Sequence, residues 1–249
     1  MDYSNIPHGD MPGDVIKIEE SHVKKANVIM PKLMEHIRGL KEEGKEKIVV
    51  SVCGGSGVGK SETASLLSYM LCNEGLKSYT MSGDNYPYRI PSENDNERLK
   101  VFEKGGREAL VNYLGTDQEI DFRMVNQIID SFKSGKSKIK LKRMGRSKDE
   151  LWFEEVDFSD TCILMLEWTH GNSDYLTGID VAILLNSTPK ETLDHRKARN
   201  RDGSVDSPFT SMVLEIEQGK LKSQAHKAKI IVTKSGKIVP YSTYLQIME

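Results

Sequence analysis

The eight residues Gly54-Gly55-Ser56-Gly57-Val58-Gly59-Lys60-Ser61 constrain this chain more than any other stretch, because they satisfy GxxxxGK[ST] and lie between two segments of different periodicity. Residues 47–53, KIVVSVC, are apolar and β-branched and predict a strand. In residues 61–71, Ala64, Leu67 and Leu71, with Leu66 and Met70, recur at helical spacing. A strand that runs into glycines and out into a helix turns backbone N–H groups inward around phosphate oxygens, and the start of the helix adds a partial positive charge. Gly54, Gly55, Ser56, Gly57, Val58 and Gly59 are therefore expected to cradle phosphates, Lys60 to reach the β- and γ-phosphates, and the Ser61 hydroxyl to ligate Mg²⁺. A glycine turn that matched by coincidence would lack these flanks.

The rest of the chain alternates strands and helices around this unit. Residues 77–82 predict a strand, 95–113 and 119–132 two helices interrupted by Gly105, Gly106 and Gly115, and 161–167 and 180–186 two further strands. Helices over 189–199 and 207–221 and a strand over 229–233 follow. Short apolar strands spaced by helices predict an α/β fold with a doubly wound, mostly parallel sheet. Residues 136–158 break that rhythm, since Ile139 and Leu141 alternate with Lys138, Lys140 and Lys142 before a turn and a second apolar run, the pattern of an inserted β-hairpin. Residues 21–41 predict a helix broken at Pro31, and the polar residues 1–20 a flexible or draped arm without signal-peptide character. The expected organisation is an arm and accessory helix over 1–45 and a main domain over 46–240, with the hairpin at about 136–158 and an Arg-bearing lid at about 196–208.

Thirty-five Lys and Arg against 37 Asp and Glu leave a net charge of −2, which argues against a chain built to coat nucleic acid or an anionic membrane. The apolar runs are far shorter than the ~20 residues of a membrane helix. Cys53, Cys72 and Cys162 have no CxxC spacing and apolar neighbours, so buried reduced thiols and a cytoplasmic setting are expected. No NKxD segment is present, Thr233-Lys234-Ser235-Gly236 being only an echo of one, which makes ATP the expected nucleotide. Glu167 follows the apolar residues Ile163-Leu164-Met165-Leu166, and strand carboxyl ends in such sheets face the ligand crevice, so it is a second candidate for the metal site; the alternative is a solvent-facing carboxylate.

Five segments together resemble the uridine kinase and phosphoribulokinase family, which also includes bacterial-type pantothenate kinase and some glycerate kinases. They are the glycine loop; Ser82-Gly83-Asp84-Asn85-Tyr86; Leu166-Glu167-Trp168-Thr169-His170-Gly171; the basic stretch from Arg196 to Asp202; and Gln224 to Val232. The resemblance implies an ATP- and Mg²⁺-dependent transfer of the γ-phosphoryl group to an acceptor hydroxyl. It implies that Asp84 takes the acceptor's proton or helps hold magnesium, and that Arg196 and Arg201, with Arg199, close over the nucleotide from a lid. It also implies that Asp121 holds acceptor hydroxyls, although Glu119-Ile120-Asp121-Phe122 alters the usual order. Elementary alternatives stay open: Asp84 as a turn cap, Asp121 as a first-turn helix carboxylate, and the arginines as complements to a helix dipole.

Two departures bear on the acceptor. Glu167-Trp168-Thr169-His170 stands where the family commonly has Glu-Gly-Ile, so that Trp168 replaces a glycine; Trp168 and His170 are expected either to wall a remodelled pocket or to pack as core residues, and Tyr86, Tyr88 and Arg89 follow Asp84 closely enough to line the same cleft. The hairpin concentrates Lys138, Lys140, Lys142, Arg143, Arg146 and Lys148, which is either a solvated strand face or, through Arg143 and Arg146, a reader of an anionic acceptor. The competing functional class is a nucleotide-dependent switch or regulatory ATPase with no small acceptor. A homo-oligomer is left open.

Overall fold

The computed structural model describes residue 6, residues 8–199 and residues 207–248. Its elements run α1 (Glu20–Glu42), β1 (Ile48–Gly54), α2 (Lys60–Asn73), β2 (Ser78–Ser82), α3 (Pro91–Tyr113), α4 (Phe122–Lys133), β3 (Lys138–Met144), β4 (Leu151–Asp157), β5 (Ile163–Glu167), β6 (Val181–Leu185), α5 (Leu193–Arg199), α6 (Pro208–Gln224), β7 (Ile230–Val232), β8 (Ile238–Val239) and α7 (Tyr241–Ile247). The main sheet has the order β2-β5-β1-β6-β7-β8, parallel except for β8, which pairs antiparallel with β7.

Alternation along the strands divides the core between the two faces of the sheet. Val50 and Val52 of β1 join Ile163, Met165 and Ile183 beneath α1 and α2, while Val49, Leu164 and Leu166 face α4 and the hairpin with Phe122, Ile129 and Phe132. The carboxyl ends of β1, β2 and β5 therefore lie side by side, with Val52 in register with Glu167 and Glu167 in register with Ser82. This is the edge at which an open α/β sheet presents its ligands.

The hairpin is a separate two-stranded sheet of β3 and β4, pairing Lys138 with Asp157 through Met144 with Leu151. Three expectations need correction. The first helix is continuous through Pro31: the proline is on the exposed side, and the carbonyl it leaves without a helical donor belongs to Asn27, an exposed residue on the solvent side of the helix. Cys72 is exposed and Cys162 only partly covered, so of the three thiols Cys53 alone is buried, and desolvation pushes it up to about 12. Finally, α6 extends to Gln224, and β8 and α7 continue the fold beyond the last expected strand, packing Tyr244 against Leu184, Leu221 and Ile231. No helix of the described residues is long and apolar enough to cross a membrane.

Candidate active site

The glycine loop begins at the end of β1 and closes where α2 begins. Gly59 is the N-cap of α2 at φ 88°, a left-handed conformation that glycine adopts without penalty, and a Cβ there would meet the His22 ring at 2.8 Å. Helix α1, whose Ala26, Ile29, Leu33 and Ile37 share the core with β1 and α2, thus also touches the loop. Lys25 reinforces that contact, donating from Nζ to the Val58 carbonyl at 3.1 Å while burial lowers its pKa. Lys60 donates from Nζ to the Gly55 carbonyl at 3.1 Å, lying back across the loop.

Ser56, Gly57, Lys60 and Ser61 line a cavity of about 440 Å³, together with Asp84, Arg89, Arg146, Glu167 and Arg196. One concavity therefore collects residues from the loop, the end of β2, the end of β5, the hairpin and α5. Glu167 is buried at the end of β5, where its Oε1 accepts from the Ser82 hydroxyl at 2.7 Å and its Oε2 from the Ser61 hydroxyl at 3.2 Å. Burial and the nearby Asp84 charge push Glu167 up to about 8, against the pull of Lys60. A carboxylate so disfavoured, bonded to the loop serine and next to a second carboxylate, suits a hard divalent cation that takes its remaining ligands from phosphate and water. Among the described residues no cluster of three or more His, Cys, Asp or Glu forms a complete protein cage for a metal. Asp84 lies in a single 3₁₀ turn, Gly83–Asn85, exposed to the cavity.

Arg196 is buried on α5, its Nη1 donating to the Pro189 carbonyl and to the Thr192 hydroxyl, both at 2.8 Å. Its Nε is buried and has no hydrogen-bond partner among the described residues, and the residue lines the cavity. Arg199 is in α5. Arg201 and most of the expected lid fall outside the described residues.

The structure moves several expected acceptor contacts into supporting roles. Trp168 is buried beneath the Asp84 turn, so close to Gly83 that a Cβ there would lie 2.0 Å from Trp168 Cγ, and its ring packs on Phe122. Tyr86 is fully buried, its hydroxyl donating to Met81 Sδ at 3.5 Å. His170 packs edge-on against Trp168 and over the Gly115 turn, and burial lowers it to about 4 despite the Glu119 charge. Asp121 caps α4, accepting from the Met124 amide at 2.9 Å, and does not line the cavity. Arg143 is no reader of a free anion: its guanidinium donates to Asp10 Oδ2 at 2.7 Å, to Glu154 Oε2 at 2.9 Å and to the Tyr79 hydroxyl at 2.9 Å. Lys142, expected on a solvated face, is buried and donates to the Pro87 carbonyl at 2.7 Å. Tyr88 is half exposed and outside the cavity lining, while Arg89 lines the cavity and donates to the Tyr113 hydroxyl at 3.2 Å.

An ionic hub that sequence reasoning missed supports the far wall. Glu119, fully buried, accepts from Arg98 Nε at 2.6 Å, from Asn94 Nδ2 at 2.8 Å and from the Gly115 amide at 2.6 Å. Burial raises its pKa, but Arg98 and these donors outweigh burial and hold it below the ordinary value. Arg98 and Asn94 line the cavity from α3.

The mostly parallel sheet, with the glycine loop between β1 and α2, is a P-loop fold, and solved small-molecule kinases share it. The phosphoribulokinase of Rhodobacter spheroides superimposes with a TM-score of 0.56 at 15% identity, covering 76% of this chain and 70% of that one. D-glycerate 3-kinase of Cryptococcus neoformans gives 0.53 at 15% identity, covering 90% and 99%. At the level of sequence the chain is 43% identical over 218 residues to the bifunctional alpha-galactosidase/sucrose kinase AgaSK of Mediterraneibacter gnavus; the match takes in 88% of this chain and 23% of that protein's length. No family model matches the chain.

Proposed function

We propose that the protein is an ATP-dependent kinase that transfers the γ-phosphoryl group to a sugar hydroxyl, with sucrose the first candidate acceptor. The observation that carries this reading is the shared cavity: Lys60 and Ser61 of the glycine loop and the carboxylate of Asp84 line one space, of about 440 Å³, in the size range of a small-molecule site. The relative AgaSK supports the acceptor class, because its name includes a sucrose kinase and this chain, which matches 23% of its length, carries the glycine loop such a kinase requires. Of the two hairpin arginines expected to read an anionic acceptor, Arg143 is committed to Asp10 and Glu154, while Arg146 lines the cavity.

Phosphoryl transfer is mostly positioning and neutralisation of charge. The loop amides and Lys60 hold the β- and γ-phosphates of ATP. Ser61 and Glu167, with Asp84, would hold Mg²⁺, which when bound neutralises charge spread over the phosphate oxygens. Asp84 orients the acceptor hydroxyl and accepts its proton as the hydroxyl oxygen bonds to the γ-phosphorus and the bond to the β-phosphate oxygen breaks, releasing ADP. Arg196, fixed on α5 in the cavity lining, adds a guanidinium charge beside the transferring group.

The test measures ATP consumption with sucrose, other neutral sugars, nucleosides, glycerate and sugar phosphates in turn. Stimulation by sucrose or another neutral sugar is the expected result. A rate that stays at basal hydrolysis across the panel refutes the kinase reading in favour of a nucleotide-dependent switch.

A further inference from the structure

Residues 8–15 precede the first helix and contain none of the motifs, yet they are bound to the site at its acceptor end. The Asp10 side chain is only 7% exposed and accepts four hydrogen bonds: Oδ1 from the Ser82 amide at 2.7 Å and from Asn85 Nδ2 at 3.0 Å, Oδ2 from the Tyr79 hydroxyl at 3.0 Å and from Arg143 Nη1 at 2.7 Å. These donors belong to β2, to the turn that carries Asp84, and to the hairpin. Asn85 extends the knot, since its Oδ1 accepts from the Met144 amide at 3.0 Å. Arm, hairpin and Asp84 turn are therefore locked to one another through a single buried carboxyl group. Beyond the knot the chain turns, the Asp14 amide donating to the Met11 carbonyl at 3.2 Å, and both Met11 and Asp14 line the cavity beside Asp84, Met144 and Arg146.

We infer that residues 8–15 form a fixed wall of the acceptor site, in which Met11 and Asp14 contact the acceptor and Asp10 positions them. This rests on the kinase reading above and deepens it by naming part of what selects the acceptor. The wall suits a many-hydroxyl molecule. Asp14 brings a carboxyl group beside Asp84, where carboxylates accept hydrogen bonds from sugar hydroxyls, and Arg89 and Arg146 line the same cavity as donors to hydroxyl oxygens. Met11 supplies an adaptable apolar surface for a sugar ring's C–H face. Asp10 itself is a positioning residue. Removing it leaves the Arg143 guanidinium short of a buried partner and frees the arm from the Asp84 turn.

The experiment compares the full chain with Asp14→Asn and Asp10→Asn, measuring the KM for sucrose (or for whichever neutral sugar of the panel is the best acceptor), the KM for ATP, kcat, and the melting temperature. Loss of a charge-assisted hydrogen bond predicts an acceptor KM raised about tenfold in Asp14→Asn, with the ATP KM and kcat changed less than about threefold. Asp10→Asn is expected to raise the acceptor KM by at least as much and to speed amide hydrogen exchange over residues 8–15 while the loop's ATP affinity holds. An acceptor KM unchanged in Asp14→Asn, in an enzyme that phosphorylates the sugar normally, overturns the wall alone. A parallel rise in both KM values in both variants also overturns it, reducing the arm to general scaffolding. A wild-type protein that phosphorylates no neutral sugar overturns the acceptor reading and the wall with it.

Discussion

Lowering the pH from about 7.5 to 5 should destabilise this protein through one identifiable side chain, His170. The ring is packed against Trp168 and over the Gly115 turn, and its pKa is lowered to about 4 by burial, with Arg98, Lys220 and Lys60 adding to the effect and Glu119 opposing it. The unfolded chain titrates this group near 6.5. Because the folded pKa is the lower one, the unfolded state binds the proton first as pH falls. The stability contributed by the neutral ring is complete above about pH 6.5 and is lost progressively until the folded ring also protonates near pH 4. Integration across that window gives a loss of about 2 kcal/mol by pH 5, which in a chain of this size is a fall of roughly 4–8 °C in melting temperature. The assay is thermal unfolding of the wild type and of His170→Gln across the pH range, since the difference between their slopes isolates this ring from the carboxylates. His170→Gln is expected to start less stable at pH 7.5 and to lose about 2 kcal/mol less on acidification, with its KM for the acceptor unaltered. Parallel pH profiles for the two proteins would refute the buried neutral ring, and a raised acceptor KM would return His170 to the site.

Three further outcomes follow from the site. Lys60→Ala should abolish the ATP-induced rise in melting temperature, and a normal rise would contradict the phosphate loop's assignment. Lys25→Met, which removes the bond from α1 to the Val58 carbonyl, should weaken ATP binding by about threefold to tenfold without preventing folding, as read by titration calorimetry; unchanged affinity would mean that α1 merely covers the sheet. Gly83→Ala would drive a methyl group into Trp168 and is expected to cost at least ~1–3 kcal/mol in denaturant unfolding and to displace Asp84, lowering kcat more than ATP affinity.

The parts of the site built from local chemistry were legible in the sequence. Glycine spacing between a β-branched run and an amphipathic helix is sufficient to place Lys60 and Ser61, and the apolar run ending in Glu167 places that carboxylate because a buried parallel strand leaves its functional group at the carboxyl end. What could not be read are choices made between distant segments. Arg143 and Arg146 lie three residues apart on a basic hairpin, and only the tertiary arrangement commits one to Asp10, some 130 residues earlier, while the other lines the cavity. Asp121 and Glu119 offered two carboxylates within one short segment; the helix start at Phe122 makes the first a cap, and the fully buried second is the partner of Arg98. Trp168 replaced a permissive residue and so suggested a remodelled pocket, but its size is accommodated by Gly83 and Phe122 below the turn. The arm over residues 8–15 carried no periodicity or motif, and its buried Asp10 is recognisable only from the donors that surround it.

The central claim is that the nucleotide loop and Asp84 act on one acceptor in one cavity. Its most direct test follows ADP and phosphorylated sugar together, with ATP, Mg²⁺ and sucrose supplied to the wild type and to Asp84→Asn. The account predicts equal amounts of ADP and sucrose phosphate from the wild type. From Asp84→Asn it predicts an intact ATP-induced melting shift with turnover reduced by about 10²–10⁴-fold. ADP released without any phosphorylated sugar, or near-normal turnover in Asp84→Asn, would contradict it.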